Sequence, residues 1–185
     1  MSAITQWDLS VLDAIAARRT PFFNAIFPFI TKLGNAGVVW ILFAAVLLCF
    51  KKTRRLGICA AIALILDLLV CNFLLKPMVD RVRPFALREV QLLVPAPGDA
   101  SFPSGHAAAA FSFSMALAFR KSKLAIPALL LAALISFTRL YFYLHFPTDV
   151  LGGIAVGIVC AAAACFLEAK LSKKLRLPHS DHQEN

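Results

Sequence analysis

The chain has 185 residues, 60% of them hydrophobic, and a mean hydropathy of +0.78. A soluble domain is nearer half apolar, so this composition indicates a membrane protein, and the length allows one compact helical domain but no second domain. The net charge of +9 also occurs in nucleic-acid-binding proteins. Here the basic residues stand mainly at the ends of apolar segments, which argues against a nucleic-acid groove and fits membrane topology.

The first 20 residues lack the continuous apolar core of a cleavable signal peptide. They place apolar side chains at helical spacing, with polar side chains off that stripe. The apolar set is Ile4, Trp7, Val11, Leu12 and Ile15, and the polar set is Asp8, Ser10 and Asp13. The pattern predicts an amphipathic helix that lies in the membrane interface or packs against the rest of the protein, and the sequence does not separate these two arrangements.

Six apolar segments follow, with lengths near the roughly 20 residues that a helix needs to cross ~30 Å of hydrocarbon. Ala- and Leu-rich runs of this length favour helices, which satisfy their backbone hydrogen bonds internally. The predicted spans are residues 21–33, 36–50, 56–75, 103–119, 124–144 and 150–167. We therefore predict an all-α, polytopic membrane bundle of about six transmembrane helices plus the N-terminal interfacial helix. It forms a single domain over residues 1–176, and residues 177–185 form a polar, disordered cytoplasmic tail.

Few polar residues interrupt these spans. Asp67 and Asn72 lie in the third span, and we expect an interhelical hydrogen bond there rather than a transport pathway. Gly153 and Gly157 form a GxxxG pattern that allows close helix packing, either within the chain or in a dimer. The five cysteines lie in apolar runs without a CxxC pair, so we interpret them as small hydrophobic side chains.

Positive charge is unevenly divided between the two sets of turns. One set, which includes both ends of the chain, holds 13 of the 19 basic residues, so both termini are predicted to be cytoplasmic. The other turns hold Lys32, Lys76, Arg81, Arg83, Arg88 and Arg139. Three polar clusters then fall together on the outer face: Lys76 with Arg83, the run Ser104-Gly105-His106, and Arg139 with His145 and Asp149.

These clusters contain the groups that a phosphoryl transfer needs. Arg and Lys neutralise the oxygen atoms of the transferred group. At the second cluster Pro103 would open a helix whose unpaired amides face an anion, although Ser104 by itself also fits an ordinary N-cap. Arg139 stands within an apolar run, where a cation without a partner is costly.

His145 and Asp149 are four residues apart and share one face if the segment is helical. A carboxylate on one imidazole nitrogen leaves the other nitrogen free to attack. Such a pair is often structural, but this one would stand beside several cations and a second histidine, His106. Because the clusters offer few metal ligands among those cations, we expect chemistry without a metal or another cofactor.

Together the clusters resemble the signature of the type 2 phosphatidic acid phosphatase (PAP2) superfamily, which reads K-x6-RP, PSGH and R-x5-H-x3-D. The matching residues are Lys76 to Arg83-Pro84, Pro103-Ser104-Gly105-His106, and Arg139 to His145 to Asp149. Thr138 stands where the family often has Ser, and we expect little consequence. The resemblance extends to vanadium haloperoxidases, which share this type of site.

The resemblance implies a role for each residue. His145 would be the nucleophile that forms a phosphohistidine, oriented by Asp149, and His106 would be the general acid that protonates the leaving oxygen. The phosphate would be held by Lys76, Arg83, Ser104, Gly105 and Arg139. Water would then hydrolyse the phosphoenzyme.

The expected substrate is a lipid whose tail stays in the bilayer while its phosphate enters the protein. Resemblance to small bacterial members favours undecaprenyl diphosphate, with phosphatidylglycerophosphate and phosphatidic acid as alternatives. Arg81 and Arg88 are available for a second phosphate, but we interpret them as solvated loop cations. A transporter is disfavoured because all clusters lie on one face, and a non-catalytic lipid-binding protein because it would not need both His106 and His145.

Overall fold

The computed structural model describes residues 1–174, and every regular element within them is a helix. The α-helices are α1 (Ala3–Ala16), α2 (Pro21–Leu33), α3 (Val38–Cys49), α4 (Arg54–Asp67), α5 (Lys76–Val79), α6 (Gly105–Phe119), α7 (Ala125–Tyr141) and α8 (Pro147–Lys174). A π-helical segment, Leu68–Leu75, joins α4 to α5, and short 3-10 turns span Asn35–Gly37 and Pro84–Ala86. The all-helical fold class is thus confirmed, whereas the tail predicted at 177–185 lies outside the described residues.

The helices coincide with the predicted apolar segments except at some ends. α6 begins at Gly105 rather than at residue 103, α7 ends at Tyr141 rather than at 144, and α8 begins at Pro147 rather than at 150. Pro147 starts a helix well because its fixed φ suits the first helical position and its missing N–H would have no partner there. His145 therefore precedes α8, so the condition under which His145 and Asp149 would share one helical face is not met.

Two helical stretches among the described residues are long and apolar enough to cross a membrane, namely Arg54–Ala86 and Pro147–Lys173. The pair Pro21–Leu33 and Asn35–Cys49 meets the same test as one span bent by 47°, and α6 and α7 are shorter apolar helices. These are the helices of a membrane protein. The number of six spans stays a prediction.

Helix α6 lies at the centre and packs against α4, α7 and α8. Its close approach to α8 depends on two glycines of α8. A Cβ at Gly153 would lie 2.5 Å from the backbone oxygen of Ser104, and a Cβ at Gly157 would lie 2.6 Å from the backbone oxygen of Ala108. The GxxxG pattern is therefore used within the chain, which is one of the two alternatives left by the sequence.

Helix α1 packs against α7 and α8. Its Leu9 and Leu12 are buried, whereas Ile4 and Trp7 of the predicted apolar stripe are exposed. Asp8 was expected on the polar, outward side, and that expectation was wrong because its carboxylate is fully buried. The structure shows that this helix packs against the bundle, and its position in the membrane interface stays a prediction.

The two ends of the bundle differ in their polar residues. At one end the buried Glu168 of α8 pairs with Arg55 at 2.9 Å and with Arg120 at 3.1 Å. These two arginines belong to the set predicted to be cytoplasmic, and they mark the start of α4 and the end of α6. The polar clusters lie at the opposite ends of the same helices, where Lys76 follows α4 and Gly105 begins α6.

Candidate active site

The three polar clusters meet around one cavity of about 730 Å³. Six of the predicted site residues line it: Lys76, Arg83, Gly105, His106, Arg139 and His145. The other two, Ser104 and Asp149, are buried and joined to each other, since the amide of Ser104 donates to the carbonyl of Asp149 at 3.0 Å. Residues from distant parts of the chain are thus brought to one place, as predicted.

The turn between α7 and α8 carries His145. Within it Tyr143 has a φ of 62°, a left-handed conformation that a non-glycine residue adopts only when its surroundings hold it. One such contact comes from α1, because the Tyr143 hydroxyl donates to Asp13 at 2.7 Å. The amide of Leu144 also donates to the carbonyl of Arg139 at 3.0 Å. Helix α1 therefore supports the turn that places His145.

The two ring nitrogens of His145 have different surroundings. Nδ1 lies 2.8 Å from the carbonyl oxygen of Ser101, and because a carbonyl can only accept, Nδ1 carries the proton. Nε2 then holds the free electron pair and lies 3.2 Å from Nη1 of Arg83. Burial lowers the pKa of His145 to about 4, although Asp149 acts in the opposite direction. The ring is therefore neutral at neutral pH and suited to nucleophilic attack.

Asp149 acts on His145 mainly through Ser101. Its Oδ2 is 3.7 Å from Nδ1 of His145, which is longer than a hydrogen bond. The same oxygen accepts from the hydroxyl of Ser101 and from the amide of Phe146 at 2.9 Å. The expected direct contact between carboxylate and imidazole is replaced by a chain in which Asp149 holds Ser101 and the carbonyl of Ser101 holds His145.

A buried ion pair lies behind Asp149. Arg81 places Nη1 2.6 Å from Oδ1 of Asp149 and Nη2 2.8 Å from Oδ2 of Asp8. Asp8 also accepts from the amide of Thr148 at 3.0 Å and from its hydroxyl at 2.6 Å. The interpretation of Arg81 as a solvated loop cation was therefore wrong, whereas Arg88 is indeed exposed.

Lys76 and Arg83 share a partner that the sequence did not indicate, Asp99. The ammonium of Lys76 pairs with Oδ2 of Asp99, and Nη2 of Arg83 lies 2.7 Å from Oδ1. Burial acts to raise the pKa of Asp99, but the hydrogen bonds and charges of Lys76 and Arg83 lower it to about 2. The carboxylate is therefore ionised at neutral pH and spans the two cations.

Two buried polar atoms of the predicted phosphate-binding set have no hydrogen-bond partner among the described residues: Oγ of Ser104 and Nε of Arg139. Ser104 occupies the N-cap position of α6, but its side chain makes no capping bond, so capping does not explain this residue. Arg139 is held through Nη1, which donates to Thr31 at 2.7 Å. A buried group left unpaired costs about 1–3 kcal/mol. Arg139 lines the cavity, whereas Ser104 is buried directly before the cavity residue Gly105.

His106 lies at the cavity wall, in the first turn of α6. Its Nε2 is 3.0 Å from Oδ1 of Asn35, and since an amide oxygen accepts, this nitrogen carries the proton. A Cβ at Gly34 would lie 2.7 Å from the imidazole, so the ring occupies space that only glycine leaves open. A proton donor is thus placed in the cavity that His145 also lines.

Away from the cations the cavity continues along α3, α4 and the start of the π-helical segment with an apolar lining: Ile41, Ala44, Ala45, Leu48, Ala61, Leu64, Ile65 and Leu68. Asp67 is an exception in this lining. Its side chain is buried and its Oδ1 has no hydrogen-bond partner among the described residues. The interhelical hydrogen bond expected for Asp67 is therefore not formed by this oxygen.

Sequence reasoning missed several partners of the site: Asp8, Thr31, Asn35, Asp99 and Ser101. Asp99 and Ser101 stand within four residues of the start of the PSGH run, and this proximity was the one signal that pointed to them. Within residues 1–174, no group of three or more His, Cys, Asp or Glu is arranged to hold a metal ion. Metal-independent chemistry stays a prediction.

Known proteins share this sequence pattern and this arrangement of helices. The sequence profile of the PAP2 superfamily matches residues 55–171. The undecaprenyl-diphosphatase BcrC of Bacillus subtilis is 33% identical over 153 residues, which cover 83% of this chain and 77% of that protein. The lipid A 4'-phosphatase of Bacteroides thetaiotaomicron is 30% identical over 187 residues, covering 91% of this chain and 83% of that protein.

A solved structure extends the likeness to three dimensions. The transmembrane PAP2-type phosphatidylglycerolphosphate phosphatase from Bacillus subtilis superposes with a TM-score of 0.73 at 28% sequence identity. The superposition covers 95% of this chain and 89% of that one. The likeness therefore includes nearly all of the described helices as well as the clusters.

Proposed function

The chain belongs to the PAP2 superfamily and is a membrane lipid phosphatase, and on that premise we propose that it hydrolyses a lipid diphosphate through a phosphohistidine. The proposed reaction converts undecaprenyl diphosphate to undecaprenyl phosphate and inorganic phosphate. The relative named undecaprenyl-diphosphatase, which aligns with 83% of this chain, supports this substrate.

The observation that carries the mechanism is the set of available polar atoms around the neutral His145. Arg83 lies 3.2 Å from Nε2 of His145. Ser104 Oγ and Arg139 Nε are buried without a partner among the described residues. The nucleophile with a free electron pair thus lies against Arg83, and Arg139 lines the same cavity, so both cations can donate to an anionic phosphoryl group.

In the proposed first step, Nε2 of His145 attacks the terminal phosphorus, an N–P bond forms, and the bond from that phosphorus to the bridging oxygen breaks, so that undecaprenyl phosphate leaves. His106 enters this step as the imidazolium, donates its Nε2 proton to the leaving oxygen and is left neutral. Lys76, Arg83 and Arg139 neutralise the charge on the equatorial oxygens. The carbonyl of Ser101 stabilises the positive charge that the imidazole acquires, because it accepts the hydrogen bond from Nδ1–H.

In the proposed second step, a water molecule attacks the phosphohistidine, the N–P bond breaks and inorganic phosphate leaves. His106, now without its proton, accepts one from the attacking water, which restores the starting state. His145 returns to the neutral tautomer that the carbonyl of Ser101 favours. The cycle needs no group beyond those of the chain and water.

The shape of the cavity supports a lipid as the substrate. Its cationic end would hold the phosphate, and its apolar part along α3 and α4 would hold the beginning of the tail. Ile41, Ile65 and Leu68 of this lining are about half exposed, so a tail can continue from the cavity into the bilayer. A soluble phosphate ester would leave this apolar surface unused.

We propose a multi-pass location in the cytoplasmic membrane, with both termini in the cytoplasm and the site on the outer face. The excess of basic residues in one set of turns supports this orientation. Arg55 and Arg120 of that set share Glu168 at the end of the bundle opposite the site.

Phosphatidylglycerophosphate is a second candidate, favoured by the structural relative that acts on a phosphatidylglycerolphosphate. Arg81 bears on this choice, because it is engaged with Asp8 and Asp149 and is not available to a second phosphate. The three remaining cations suit one phosphate group. The cations of the site would then bind the terminal phosphate, and the apolar lining would discriminate between lipid tails.

The deciding experiment measures phosphate release by the purified protein in EDTA from undecaprenyl diphosphate, phosphatidylglycerophosphate and phosphatidic acid. We expect the highest kcat/KM with undecaprenyl diphosphate. His145→Ala serves as the control and should release no phosphate while its thermal unfolding is retained. Preference for another lipid would overturn the substrate, and turnover by the variant would overturn the mechanism.

A further inference from the structure

Asp99 places a carboxylate where the phosphate of the proposed reaction is expected. One of its oxygens pairs with Lys76 and the other accepts from Nη2 of Arg83 at 2.7 Å. The side chain of Asp99 is 52% exposed, whereas those of Lys76 and Arg83 are 11% and 5% exposed. The carboxylate therefore lies on the open side of the two cations, and all three residues line the cavity.

The backbone at this position is held independently of the carboxylate. Nε of Arg83 donates to the carbonyl oxygen of Asp99 at 2.8 Å. Two residues further on, the amide of Ser101 donates to the carbonyl of Arg81 at 2.8 Å. The side chain of Asp99 itself is 52% exposed, so it has open space on the side away from the two cations. The side chain of Asp99 can therefore turn away by rotation about its own bonds, without a movement of the loop.

We propose that Asp99 is an internal competitor for the phosphate subsite. Its carboxylate holds Lys76 and Arg83 in place in the empty site, yields them to the phosphoryl oxygens of the substrate, and returns to displace inorganic phosphate after hydrolysis. This inference rests on the proposed function, because it assigns those two cations to the phosphate.

The energetic consequence is a lower affinity for every phosphate that enters the site. Each binding event must break two charge-assisted contacts of Asp99, and each release restores them. The cost is the same for substrate and product, so it weakens ground-state binding without a direct effect on the chemical step. A site with three cations would otherwise hold inorganic phosphate tightly and be slowed by its own product.

The test uses Asp99→Asn, which removes the charge while it keeps the size of the side chain. Glu89→Gln is the matched control, since Glu89 is an exposed acidic residue of the same connecting segment. Titration of inorganic phosphate into each protein by calorimetry gives the Kd, and kinetics with the lipid substrate give KM and kcat. Asp99→Ala provides a second variant in case the amide of Asn finds a new partner.

We expect Asp99→Asn to lower the Kd for inorganic phosphate and the KM by about tenfold, the effect of losing a hydrogen bond to a charged group. Glu89→Gln should leave both within about twofold of the wild type. An unchanged Kd would overturn the proposal, and so would a raised Kd, which would show that Asp99 prepares the cations for phosphate. The calorimetric result needs no turnover, so a failure of the lipid phosphatase proposal would appear separately, as an absence of phosphate release.

Discussion

Gly153→Ala tests the contact that joins the two halves of the site. The added Cβ would lie 2.5 Å from the backbone oxygen of Ser104 and 3.1 Å from the Cβ of Ala107. The first distance is about 0.9 Å short of the 3.4 Å at which ordinary contacts begin. Neither neighbour can rotate away, since one is backbone and the other is a Cβ. Helices α6 and α8 must therefore separate.

The size of the effect follows from this separation. Overpacking of a close contact costs about 1–3 kcal/mol, and in a chain of this length each kcal/mol lowers Tm by about 2–4 °C. Ser104 is the residue pushed, and a misplacement near 1 Å in an active site can cost ~100-fold in rate. We expect a fall in Tm together with a fall in kcat of about tenfold to 100-fold.

The assay compares Tm and the kinetics of phosphate release with those of two matched variants. Gly157→Ala has a similar clash, 2.6 Å from the backbone oxygen of Ala108, but lies one helical turn further from Ser104. It should lower Tm by a similar amount and kcat by much less. Gly98→Ala should change neither quantity, because its Cβ meets nothing within 4 Å. Equal losses of kcat in the two helix variants, or an unchanged Tm in Gly153→Ala, would refute this reasoning.

Three further predictions concern the charges of the site and its independence of a metal. Asp8→Asn breaks a buried ion pair, which costs about 3–5 kcal/mol of stability. Tm should therefore fall, and the fold decrease in kcat should exceed the fold change in KM. An unchanged kcat would show that Asp8 does not position Asp149. Burial lowers the pKa of His145 to about 4, so the ring is still mostly neutral at pH 5. The rate of single-turnover phosphoenzyme formation at pH 5 should therefore exceed half the rate at pH 7. A pH–rate profile with its midpoint near the free imidazole value of ~6.5 would contradict this. Dialysis against EDTA should leave phosphate release unchanged, and loss of activity restored by a divalent ion would disprove metal-independent chemistry.

The residues of the three clusters were within reach of the sequence because their chemistry and their order are both distinctive. An arginine inside an apolar run, such as Arg139, is costly without a partner, so it indicates a function. A histidine next to a predicted helix start, such as His106, is not explained by helix capping. The alternation of apolar runs and basic turns then predicted that the clusters share one end of the bundle. The structure brings them together around a single cavity.

The partners of those residues were beyond the sequence because tertiary packing chooses them. Asp8 fits the polar side of an amphipathic helix, and its burial is decided by Arg81, which is 73 positions away. The link between His145 and Asp149 also differed from expectation, since Pro147 starts the helix after His145 and the carbonyl of Ser101 takes the place of the carboxylate. Where a side chain has several possible partners, the folded backbone decides which one it contacts, and the sequence alone does not show that choice.

The central claim is that His145 is the nucleophile, and trapping of the phosphoenzyme tests it most directly. The protein would be mixed with undecaprenyl diphosphate labelled in the terminal phosphate, quenched at alkaline pH within milliseconds, and digested for mass spectrometry. Label is expected on the peptide that contains His145, at Nε2, and no label is expected on His145→Ala. Label on another residue, or full turnover with no labelled enzyme at any time, would contradict it.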